Sequence, residues 1–498
     1  MRRKVFKRIF SCLALGFLLL LAVIARPALH ILRTIRNDKN EVVAPANGRI
    51  DDASRLDEMP IAEIWKLPAG REEAEKQLAD LLQRCRTSHL KISIAGARHS
   101  MGGHTISRDG VVIDMLPFNR MELDETAGIL RVQSGARWHD IIAFLNARGF
   151  SVEVMQSNDD FSVGGSLSVN CHGWNFAPAS VASTVESFRL MLADGKIVKC
   201  SRDENRELFS LVLGGYGLFG IILDANLHVV RNEKYEIDRI TVSPADFARV
   251  FKEKTVRAAD VGMIYGRLDV TPSGLLKDGT INLFRRRHGE TNLLVTSLGE
   301  PKKATLKRAI FRGSAGSDYG KELRWECERW LDPRLSGSVF DRNEILYESV
   351  SLFQGRGKDN VDTLVECFVP PTEFDGFVAD LRRLIPEYKV DLMNVTVRHV
   401  TEDKDAFLRY ADKEMFSLVM LFNQPRSAEG EAAMSNATRA MIDAALRHGG
   451  RYYLPYRLHA TAEQFAAAYP QAGEFFRLKS KYDPEELFQN EFYRHYGK

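Results

Sequence analysis

The sequence predicts an α+β protein of more than one domain, and three observations carry that prediction. The chain has 498 residues, 45% hydrophobic and 27% charged, the proportions of a folded globular protein with room for two or three domains. Between residues 71 and 227 helical and extended patterns alternate around three glycine clusters, Ile94–Thr105, Val163–Gly173 and Gly214–Gly220. From about Tyr235 to about Arg439 the clusters stop and alternating strand patterns prevail, as in Leu392–Val400, with helical stretches such as Pro371–Leu384. The change marks a second domain. The expected division is 1–40, 41–234, 235–439 and 440–498.

Each element has its own signal. Arg71–Arg86 repeats Ala74, Leu78, Leu81 and Leu82 at helical spacing, and Lys91–Ile94 then reads as a strand entering the first cluster. Val111–Asp114 and Ile129–Gln133 are strands, Trp138–Ala147 is an amphipathic helix stopped at Gly149-Phe150, and Ser151–Met155 is extended again. Phe188–Leu192 and Ile197–Cys200 flank the turn Ala193-Asp194-Gly195-Lys196 and form a hairpin. A helix at Glu204–Leu213 leads to the third cluster and the strand Ile221–Leu227. Near the end come a glycine stop at Gly449-Gly450, a short strand Arg451–Leu454 and a helix around Thr461–Tyr469, where Thr461 and Gln464 have capping-box spacing.

Composition excludes several function classes. A net charge of +3, much of it at the extreme N-terminus, gives nucleic-acid binding no support, and the run Arg285-Arg286-Arg287 reads as a solvated face. The six cysteines show neither metal-ligand spacing nor the density of a disulfide scaffold. Arg2, Arg3, Lys4, Lys7 and Arg8 precede an uncharged apolar stretch, Ile9–Ala25, at the lower length limit of a spanning helix and the upper limit of a signal-peptide core. Because Val23-Ile24-Ala25 is a poor cleavage site, with Arg26-Pro27 directly after it, a single uncleaved membrane span is the expectation, its side undecided.

The first cluster carries the most chemistry. Its small residues let backbone N–H groups converge on a diphosphate, and it matches neither the dinucleotide G-x-G-x-x-G nor the P-loop. His99 stands in its centre, either a cofactor ligand or a loop histidine that only holds the turn. Cys171 and His172 end the second cluster, and a small buried thiol and a satisfied core histidine are their plain alternatives.

These three clusters, in this order and followed by the terminal Asp483-Pro484 with Phe488 and Asn490, resemble the vanillyl-alcohol oxidase / p-cresol methylhydroxylase family of FAD-linked oxidoreductases. The similarity is greatest to the branch of alditol, aldonolactone and decaprenylphosphoryl-ribose oxidases. The resemblance implies a two-part FAD-binding domain, assembled from the N-terminal region and the returning tail, with an antiparallel-sheet cap covering the flavin. It places Gly96, Ala97, Arg98, His99, Ser100 and Met101 in the diphosphate loop, with His99 as a single covalent tether. It also places Ser157, Gly164, Gly165 and Ser168 along the cofactor and Ile222 beside the adenine; for the two glycines a tight packing turn is compatible with the same residues.

For the reaction, the resemblance implies hydride transfer from an alcohol carbon to flavin, with oxygen or a quinone as the final acceptor. The substrate would be a polyol, sugar or aldonolactone. A membrane-associated dehydrogenase or reductase of a lipid-linked sugar or sterol, with a quinone or nicotinamide partner, and a flavin-binding protein without catalysis are the alternatives. Asn394, Thr396 and Arg398 share one face of their strand by period two. Arg398 matches an arginine over the flavin, although Thr396 stands where a carboxylate is expected. Tyr456 replaces a tail lysine; Arg457 is a candidate for an anionic substrate group, and His172 for the cofactor or substrate. No metal is implied.

Overall fold

The computed structural model describes residues 24–38, 44–177, 180–256, 258–287, 298–299 and 304–497. Most of the apolar N-terminal stretch therefore lies outside the described residues. Among those described, no helix is long and apolar enough to cross a membrane.

Besides a two-stranded pairing of Arg49–Ile50 with Met59–Pro60, three sheets organise the described residues. The smallest is parallel: Val111–Asp114 lies between Glu63–Lys66 and Ile92–Ala95. The helix Arg71–Thr87 covers it because Ala74, Leu78, Leu81, Leu82 and Cys85 recur on one side and are buried. Burying three leucines stabilises this unit by roughly 5–9 kcal/mol. A second, antiparallel sheet is built around the long strand Ile221–Arg231, flanked by Val185–Met191 and Ile129–Gln133. Val185–Met191 and Ile197–Ser201 form the expected hairpin.

The third sheet has eight strands. Its antiparallel centre runs from Gly279–Arg286 through Val261–Leu268, Asp391–Val400 and Met415–Pro425 to Asn360–Val369. The expected boundary at residue 439 falls inside the helix Ala428–Arg447, and Arg451–Tyr452 extends this same sheet at its edge. The helix persists because Met434, Ala437, Thr438, Met441, Ile442, Ala444 and Ala445 form one continuous buried stripe.

The second glycine cluster is partly helical, Val163–Ser168, rather than an open turn. Close packing selects its first glycine: a Cβ at Gly164 would sit 2.8 Å from the Ser134 Cβ. The tail returns to the first cluster. Phe488 bridges Ile92 in parallel, and the Asn490 amide donates to the carbonyls of His104 and Tyr216 at 2.9 and 2.8 Å. The expected capping box is formed by Thr461 and Gln464.

Candidate active site

A cavity of about 660 Å3 lies where the glycine clusters, the eight-stranded sheet and the tail meet. One end is lined by Gly96 to Ser100, Ser157, Gly164, Gly165, Ser168 and Ile222. Met101 is not on this wall: its N–H and carbonyl are taken by Pro455 and Arg457. The loop approaches its neighbours too closely for a side chain, since a Cβ at Gly96 would lie 1.9 Å from Ser162 Oγ. Arg98 has φ of 54°, in the left-handed region, a conformation that turns successive N–H groups toward a common point. His99 packs on Phe161 with ring centroids 4.4 Å apart, and burial lowers its pKa, which favours the neutral imidazole. His104 is structural: buried, hydrogen-bonded to the Leu454 carbonyl and packed against Tyr216 and Phe492.

Part of the cavity wall is backed by a buried polar network. Glu366, on the strand Asn360–Val369, is 1% exposed and accepts hydrogen bonds from His172 Nε2 at 2.6 Å, Tyr456 Oη at 3.0 Å and the Ser417 hydroxyl. Burial alone would raise the Glu366 pKa, but His172, Arg398 and Ser417 outweigh it and hold the carboxyl below its usual range. Burial lowers the pKa of His172 against the pull of Glu366. The consistent state is an ionised Glu366 accepting from the Nε2–H of a neutral His172, whose buried Nδ1 has no hydrogen-bond partner among the described residues. Arg398 reaches the His172 carbonyl at 3.2 Å and Ser157 Oγ at 2.9 Å. Burial pushes the Tyr456 phenol well above its ordinary pKa, and Glu366 adds to the rise.

Asn394, Thr396 and Arg398 all line the cavity, as period two requires. Arg324 orients the first of them, donating to Asn394 Oδ1 at 2.7 Å while pairing with Glu328, which also holds Arg267. Beyond them the wall becomes apolar through Ile310, Phe311, Leu331, Leu335 and Phe353.

Arg457 requires a correction. It does not line this cavity; it is clamped by Asp57, Glu431 and the Met101 carbonyl, fixing the loop rather than presenting a charge to a substrate. His459 is likewise buried against Glu431 and Thr438 rather than solvated. Cys171 is a free buried thiol with its pKa pushed up to about 12 by burial. Glu366 was absent from the sequence reading. Its signal was a lone carboxylate in the apolar run Leu364-Val365-Glu366-Cys367-Phe368-Val369, where a charge persists only if paired.

The chemistry of the lining tests what the cavity can hold. Ser100 Oγ, Thr105 Oγ1, Ser134 Oγ and Gln156 Nε2 are buried without partners among the described residues, and their residues line it together with the glycine loop and Arg98. Such donors suit a diphosphate and the polar edge of a flavin. They define a flavin-nucleotide protein, and residues 72–201 match the family model described as the FAD binding domain. The chain therefore carries an FAD binding domain over this segment and is similar to known FAD-linked oxidases.

Three relatives illustrate the match. An uncharacterised oxidoreductase of the fasciation locus of Rhodococcoides fascians is 27% identical over 51% of this chain and 57% of its own. D-arabinono-1,4-lactone oxidase of Yarrowia lipolytica is 30% identical over 34% of this chain and 32% of its own. Decaprenylphosphoryl-beta-D-ribose oxidase of Mycolicibacterium smegmatis is 24% identical over 80% of this chain and 87% of its own. The first two alignments thus span less than two thirds of the relative's length.

Proposed function

We propose that this protein is an FAD-dependent enzyme that oxidises a hydroxyl group of a polyol, sugar or aldonolactone-like substrate. One observation carries the reading: Arg398, Tyr456 and His172 line the cavity that the glycine loop also lines, and buried Glu366 behind them joins Tyr456 and His172 in one network. The two-part cofactor domain is part of the proposal, supported by the contacts of Phe488 and Asn490 with the first-cluster region. FAD would be held by the loop from Gly96 to Ser100 with Ser157, Gly165 and Ser168, and when bound it accepts a hydride from the substrate carbon.

The protein's own groups manage the proton and the charge. Tyr456 donates to Glu366, so its oxygen is free to accept a hydrogen bond from the substrate hydroxyl. As the C–H bond breaks, the substrate proton passes to Tyr456 while the phenolic proton moves to Glu366 Oε2, beside neutral His172. Arg398 supplies the positive charge that the tail tyrosine cannot. His99, neutral and in the diphosphate loop, is the proposed covalent tether. The apolar wall from Ile310 to Phe353 favours one second reading, a lipid-linked sugar as the substrate.

Acid precipitation of wild type and His99→Ala tests the tether. Flavin should stay in the wild-type pellet and pass to the supernatant in the variant; release from wild type would reject the bond. Oxygen uptake against polyols, lactones and prenyl-linked sugars separates the substrate readings, with uptake confined to prenyl-linked sugars overturning the first.

A further inference from the structure

The described chain begins with a helix, residues 24–37, that packs on the cap through one face only. His30 Nε2 donates to the Gly313 carbonyl at 2.9 Å, Arg26 stacks on Tyr319 at 4.0 Å, and Asp38 just past the helix pairs with Arg308 at 2.5 Å. At 100° per residue His30, Ile31 and Thr34 fall on that docked side, Ile24 and Ile35 lie at its edge beside Ile31, and Leu29 and Leu32 fall opposite it. Ile24, Leu29, Leu32 and Ile35 are all exposed, Leu32 by 60%. The helices that receive this helix leave their own apolar groups uncovered: Leu306, Leu331 and Trp330, the last also exposed by 60%. Leu331 belongs to the apolar end of the cavity as well.

We propose that these two apolar sets, residues 24–35 of the first helix and the Leu306, Trp330, Leu331 edge of the cap, seat the enzyme on the surface of an anionic lipid bilayer. The cavity's apolar rim then lies at the lipid boundary. Two features identify lipid as the occupant. The chain immediately before the helix is the uncharged stretch Ile9–Ala25 preceded by five basic residues, a sequence suited to lipid and its headgroups. Exposed cations also border both sets, with Arg33 and Arg36 on the helix and Arg334 stacked on Trp330 at 3.8 Å. Aromatic and apolar side chains beside arginines are the composition of interfacial contacts. The inference does not depend on which hydroxyl is oxidised.

Environment-sensitive labels on the full chain test it. Cysteine is introduced as Leu32→Cys, Trp330→Cys or, as a control on another surface, Lys254→Cys, and each labelled protein is mixed with vesicles of phosphatidylglycerol and phosphatidylcholine carrying a shallow lipid quencher. Seating of roughly 5–10 Å into the headgroup boundary predicts quenching at 32 and 330 and none at 254. Vesicle flotation without quenching at 32 and 330 would mean that the preceding segment merely tethers the protein, and it overturns the proposal. Absence of flotation overturns it too. Circular dichroism of each labelled protein ensures that only folded chains are compared.

Discussion

At the residue scale the account rests on a carboxylate that serves a phenol and an imidazole at once. Tyr456→Phe removes the hydroxyl but not the ring, so kcat should fall about 100-fold, the lower range for a positioned acid–base group, with flavin content unchanged. Glu366→Gln should match it, whereas a fall in flavin content alone would assign Glu366 to cofactor retention. Because burial holds the His172 pKa below its ordinary value and the proposed relay uses neutral His172, the acid limb of kcat/KM should lie below pH about 6.5. Arg398 and Arg457 form a contrasting pair. Removing Arg457 takes the guanidinium from Asp57 and Glu431, and Arg457→Met should cost about 3 kcal/mol in denaturant unfolding. Arg398→Met should spare stability and lower activity. Three of the four side chains expected to be catalytic, Arg398, Tyr456 and His172, line the cavity: strand alternation points to the first, the tail pattern to the second and the glycine cluster to the third. Arg457 was misplaced because local spacing does not reveal that Asp57, 400 residues away, claims the guanidinium.

At the element scale the glycine loop is held by contact as well as by backbone freedom. Gly96→Ala should reduce flavin loading at least tenfold, since its Cβ would meet the fixed Ser162 side chain. Gly473→Ala is the counter-case: it lies in the helix Ala472–Tyr482 with nothing within 4 Å of an added Cβ. It should stabilise the protein by about 0.5–1 kcal/mol, and thermal unfolding measures both. Most helices and strands were readable, because their buried faces repeat at 3.6 or 2 residues. The helix Val163–Ser168 was not: its Val-Gly-Gly-Ser-Leu-Ser sequence has poor helix propensity, and packing against Ser134 decides its shape. The helices Ala304–Arg312 and Asp318–Leu335, which bring Phe311 and, from the second, Arg324 and Glu328 to the cavity, carry no cluster that points there in sequence.

At the scale of the whole molecule, buried neutral histidines make the fold acid-sensitive. Burial takes the His104 pKa down to about 3, against about 6.5 in the unfolded chain. The unfolded state therefore binds the extra proton first, and stability is lost as pH falls through that window at about 1.4 kcal/mol per pH unit for each such residue. Between pH 6.5 and 5 His104 alone should cost about 2 kcal/mol, and the denaturation midpoint of His104→Gln should vary less with pH than that of wild type. The cavity joins loop, cap and tail, so its contents report on all three. The most direct measurement is the absorption spectrum of the purified full-length protein, recorded without oxygen before and after adding polyols, lactones and prenyl-linked sugars. The account predicts a flavin spectrum that one class of hydroxyl substrate bleaches in wild type, and that the same compound bleaches far more slowly in Tyr456→Phe. A protein without flavin, or one whose flavin none of these compounds bleaches while a reductant such as dithionite does, would contradict it.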